Sequence, residues 1–171
     1  MQYLTADEAR AWAARRGFHV NESFGHPLAS ELHAPLWFRI PADAGRRVTL
    51  ARTPWEAAAQ GAPEVLVWVT DWSIWPSGEH WPLAEATRRG FGAERPLDET
   101  PGHVARVGED KAGLSMLCLA VLFLWDCWVL PVGEGPAVFV SHHEFGAAAP
   151  HGTHHDLRQR LQALGLAYDR G

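Results

Sequence analysis

Residues 113–144 read GLSMLCLAVLFLWDCWVLPVGEGPAVFVSHHE, and the fold turns on this stretch. From Leu114 to Trp125 only Ser115 interrupts an apolar run dominated by Leu, Met, Ala and Cys. These residues favour helix over strand. Asp110 is placed to act as N-cap just before the run, and a helix apolar all round needs cover all round, so it belongs in the middle of the molecule. A membrane span is the competing reading. The run of about 12 apolar residues falls short of the ~18 that a bilayer requires, which favours burial in a water-soluble core.

After Trp125 the composition changes to Cys, Trp and Val, then Gly133-Glu134-Gly135-Pro136, then Val138, Phe139 and Val140. That is the pattern of a β-hairpin with a short glycine-bearing loop. With Pro131 near Ala137, Leu130 pairs with Val138, Trp128 with Val140 and Asp126 with His142, all on one face. A slip of one residue sets Asp126 against Ser141 or His143 instead. In each register an acid close to Trp125 and Trp128 faces Ser141-His142-His143-Glu144.

The rest of the chain supplies cover for this centre. Thr5 and Glu8 form a capping box, and Leu4, Ala9, Trp12 and Ala13 share one stripe of a helix that Gly17 ends. Leu36–Ile40, between Pro35 and Pro41, reads as a strand. Residues 42–52 and 55–60 read as two helical pieces separated at Pro54. Glu64–Trp72 is a continuous β-rich run suited to a central strand covered on both faces, and it leaves Asp71 at its end. A helix over PLAEATRRG stops at Gly90, and a short strand is expected at 103–107. Residues 146–152 read as a small-residue loop, and a last helix turns Leu157, Leu161 and Leu164 inward before Gly165. The expected fold is therefore α+β in one domain, 1–171. A mainly antiparallel sheet, with strands near 36–40, 64–72, 125–131 and 136–142, is covered by helices, and a buried apolar helix lies near 111–124.

Composition excludes several function classes. The 171 residues are 47% hydrophobic, enough for a sizeable core. The net charge is -5 with histidine neutral and no Lys/Arg run exceeds a pair, so no footprint for a nucleic-acid backbone exists. Met1 leads into a polar helix signal without a basic and apolar leader, which predicts a cytoplasmic location and no membrane partner. Cys118 and Cys127 fall in core elements outside any CxxC, as reduced packing residues. Neither GxGxxG nor a Walker pattern occurs, and no cofactor is implied.

Three constellations carry possible chemistry. Asp126 with Ser141, His142, His143 and Glu144, and with Asp71 nearby, places a carboxylate beside imidazoles, the pairing that orients a base. The same pairing also serves as a structural hydrogen bond, and no GxSxG elbow accompanies it. His151 and His155 are four apart, a spacing that holds a metal when both lie on one helix face, though Gly152 favours a frayed start. Trp72, Trp75 and Trp81 form either an aromatic binding surface or the anchors of a loop. These patterns favour a small non-enzymatic protein that binds another protein, such as an immunity- or antitoxin-like inhibitor or an accessory subunit. The alternative is a hydrolase or metal-assisted enzyme centred on Asp126, His142 and His143.

Overall fold

A computed structural model describes residues 1–18, 20, 35–72, 80–149 and 155–168. In chain order the elements are β1 (Gln2–Leu4), α1 (Ala6–Ala14), β2 (Leu36–Arg39), α2 (Ala44–Ala59), β3 (Glu64–Asp71), α3 (Trp81–Gly90) and β4 (Gly102–Arg106), followed by α4 (Asp110–Phe123), β5 (Asp126–Pro131), β6 (Ala137–Val140), β7 (Phe145–Ala149), α5 (His155–Ala163) and β8 (Ala167–Tyr168). The strands form one sheet in the order β1-β4-β3-β5-β6-β7-β2-β8, antiparallel at every pairing. The fold is α+β, as its sequence predicts.

The sheet is buried on both faces, which explains why β3 reads as an unbroken apolar run. Val65, Val67, Val69, Cys127, Val129, Val138 and Val140 belong to one core with α2, α4 and α5. Leu66, Trp68, Trp128, Leu130 and Phe139 belong to a second core with Ala9, Trp12 and Ala13 of α1. The stripe expected of α1 is buried, and its capping box is closed by Glu8 N–H donating to Thr5 Oγ1 at 3.2 Å and Thr5 N–H to Glu8 Oε2 at 2.8 Å.

The apolar helix forms as α4, with Glu109 rather than Asp110 as N-cap. Met116, Leu117, Ala120 and Val121 are fully buried, while Leu114, Cys118 and Leu122 are only half covered. Gly113 lets the helix approach α2: a Cβ there would lie 2.1 Å from the Trp55 ring. Leu124, in the left-handed region at φ 54, ends the helix and swings the chain into β5. The two pieces expected around Pro54 are one helix, α2, with Pro54 inside it and buried.

Two expectations are corrected in the hairpin. Its register is Cys127↔Val140, Trp128↔Phe139 and Val129↔Val138, one residue from the pairing of Trp128 with Val140. This slip sorts the side chains by bulk. Trp128 packs against Phe139, ring centroids 4.9 Å apart and tilted, on the α1 side, and compact residues face α2, α4 and α5. The loop helps fix it, because a Cβ on Gly135 would come within 2.6 Å of Ala58 O. Secondly, β6 stops at Val140 rather than near 142, and residues 145–149 are strand β7 rather than loop. Their small side chains have weak strand preference, but packing overrides it. A Cβ on Gly146 would fall 2.1 Å from the Phe38 ring of neighbouring β2.

Candidate functional site

Residues 141–144 connect β6 to β7 as a tight turn. Ser141 N–H donates to Phe145 O at 2.8 Å, and Glu144 N–H to Ser141 O at 3.2 Å. The three-residue hairpin loop of this kind ends in a left-handed residue, usually glycine. Here that residue is Glu144, at φ 63.

Asp126, at the start of β5 and 5% exposed, locks the turn from below. Its Oδ1 accepts the His142 backbone N–H at 2.7 Å and lies 2.8 Å from His142 Nδ1. A carboxylate only accepts, so His142 carries its proton on Nδ1. Buried Ser141 offers its Oγ to His143 N–H at 3.2 Å, and the His142 and His143 rings lie 3.9 Å apart, His143 exposed. On the far side Ile40 N–H donates to Glu144 O at 2.9 Å. Arg47 of α2 donates to Pro41 O at 2.7 Å and Leu122 O at 2.9 Å, and its Nη2 stands 3.8 Å from Glu144 Oε1. Arg47 thereby joins the turn to the end of α4.

Aromatic residues gather around Phe123, the last residue of α4. Phe123 stacks on His80 at 4.1 Å and contacts Trp125 at 5.5 Å, and Trp72 and Trp81 lie 6.3 Å apart. Trp72 and Trp81 are both half-buried and anchored to the helix-side core; Trp75 lies outside the described residues. Trp125 is buried and its Nε1–H has no hydrogen-bond partner among the described residues.

The remaining predicted residues are distributed as follows. Asp71 is the strand partner of Asp126 across an irregularity at Thr70, whose hydroxyl donates to Asp126 O at 3.4 Å. Asp71 therefore stands at the same end of the sheet. His151 lies outside the described residues, and of His155 only the backbone at the start of α5 is described. Among the described residues no group of three or more His, Cys, Asp or Glu is arranged to hold a metal ion. Cys127 is fully buried, and burial, reinforced by the Asp126 carboxylate, pushes its thiol well up, away from thiolate chemistry.

Comparison with protein-family models, with curated proteins and with solved structures found no match. What the site can do must come from its own atoms. It can present an oriented imidazole, an exposed second imidazole and a carboxylate on a turn that has little freedom to move.

Two features escape sequence reasoning. One is a completely buried arginine, Arg88 of α3, whose guanidinium meets His103 of β4. Adjacent Arg88 and Arg89 look like a solvated helix end, yet Arg88 follows buried Ala84 by one helical turn, and that spacing is the signal. The other is a pair of clefts of about 430 and 570 Å³ where α2 meets α4, at the opposite end of β3 from Asp71. They share Trp55, Ala59 and Asp110. Among the described residues no helix is long and apolar enough to cross a membrane.

Proposed function

We propose that the protein acts without catalysis, binding another protein through the sheet end that carries residues 141–144, as an immunity- or antitoxin-like inhibitor or an accessory subunit does. The observation that carries this reading is Glu144. A side chain in the left-handed region costs about 1 kcal/mol, and such strain persists only where the surroundings over-determine it. The Glu144 side chain is 58% exposed, and its contact with Arg47 is a loose 3.8 Å. Arg47 has better partners in Pro41 O and Leu122 O. A carboxylate whose backbone is fixed in the turn and whose oxygens are hardly used inside the chain is suited to a cation outside it.

Three further features support the reading. A locked turn has little entropy to lose on docking. Phe123, stacked on His80, supplies aromatic area next to Leu122, whose carbonyl shares Arg47 with Glu144. The net charge of -5 steers a basic partner toward the protein. Purification from native lysate tests this. A stoichiometric partner is expected with the parent protein and is lost with Glu144→Lys, while the variant keeps its fold. A strictly monomeric parent with no partner overturns the proposal.

The 2.8 Å Asp126–His142 contact favours a second reading, a hydrolase or metal-assisted enzyme in which Asp126 orients His142 as a base. Elemental analysis and a screen of ester, phosphoester and peptide substrates, with Asp126→Asn and His142→Ala as controls, separate the two. Turnover lost in both variants supports this reading, and a metal-free parent without turnover ends it.

A further inference from the structure

We propose that the contact between Arg88 and His103 is an acid-sensitive catch: when His103 takes up a proton, the connection over residues 91–100 is released while the middle of the sheet stays formed.

The geometry leaves His103 no place for a second proton. Its Nδ1 lies 3.2 Å from Val67 O, a pure acceptor, so the ring's proton is on Nδ1. Its Nε2 lone pair accepts from Arg88 Nε at 3.0 Å. Protonation at Nε2 therefore sets an imidazolium against a guanidinium, both side chains fully buried. The repulsion falls on the residue that fastens the connection. Arg88 Nη1 donates to Arg95 O at 3.0 Å, and Nη2 donates to Thr100 O at 2.9 Å and Thr100 Oγ1 at 2.6 Å.

The other charged and titratable groups around the pair do not offset the clash. Glu85, also on α3, sits 3.3 Å from Arg88 Nη1 and is already committed, its Oε1 accepting Leu97 N–H at 2.7 Å. Asp98 acts on Arg88 from the connection itself. From β1, Tyr3 meets the His103 ring edge-on at 5.7 Å, and its hydroxyl donates to Arg88 O and Phe91 O; Glu109 acts on that hydroxyl. β3 contributes the Val67 carbonyl and the segment before β4 the Pro101 carbonyl, both of which favour a protonated ring but act more weakly than burial and Arg88. Burial and then the Arg88 charge hold the folded His103 down to about 3.

The sign follows from linkage. A released His103 titrates near its ordinary value of about 6.5, so the closed catch has its full stability above that pH. Each unit of acidification below it favours the open form about tenfold, until the folded value near 3 is reached. Opening also disperses the exposed carboxylates of Glu94, Asp98 and Glu99.

Amide hydrogen exchange on the full chain, corrected for intrinsic rates, tests the catch between pH 6.5 and 5. Protection of the Leu97 and Thr100 amides is expected to fall about 15-fold across that range while β5 amides hold theirs. In His103→Gln, which keeps an acceptor but does not titrate, the profile is expected to be flat. Should that variant fail to fold, Thr100→Ala is expected to lower protection at every pH with the same slope as the parent. A flat parent profile, an equal loss in β5, a slope that survives His103→Gln, or an altered slope in Thr100→Ala overturns the proposal.

Discussion

Glu144 shows how a single residue can stand against local preference. Its φ of 63 belongs to the position where hairpin loops of this length select glycine. Glu144→Gly is therefore expected to stabilise the fold by up to about 1 kcal/mol in urea denaturation, while weakening the proposed partner binding. A loss of stability would mean that the Arg47 contact outweighs the strain. The neighbouring acid was legible in part. Alternation along β5 brought Asp126 to the Ser141–Glu144 segment, but the register is one residue from the pairing with His142. Asp126 reaches His142 anyway, because the turn curls both the amide and the ring of His142 onto its Oδ1. Arg88 was not legible, since a basic residue in a last helical turn already has a reason to be there.

At the scale of elements, the helices and the strongest strand were readable because burial patterning and caps act locally. α4 and α1 lie where their sequences put them, and so does β3. β7 was not readable, because FGAAA becomes strand only when Phe38 needs a flat glycine surface to cover. α2 was read as broken at Pro54, yet burial against α4 keeps one helix through the proline. Its contact with Gly113 gives a sharp test. Gly113→Ala improves helix propensity but drives a methyl into the Trp55 ring, 2.1 Å away. The variant is expected to lose about 1–3 kcal/mol by overpacking, measured as a lower urea midpoint at unchanged slope. A stabilised variant would show that Trp55 has room to tilt.

Across the whole molecule, an interior sheet with helices on both sides places Cys127 at the centre, 0% exposed, and Cys118 half-buried on the surface of α4. Thiol labelling is expected to reach Cys118 through small openings, and Cys127 only at the rate of global unfolding. Labelling of Cys127 faster than unfolding would show that the middle of the sheet opens on its own.

The flanks of that sheet have their own consequence. The outermost strands among the described residues are β1, three residues long, and β8, two residues long. A foreign strand alongside either would find only a few backbone groups to bond, too short a ladder to hold or to seed a fibril. Among the described residues, the proposed partner therefore finds side chains and turns to read rather than a long margin for strand addition.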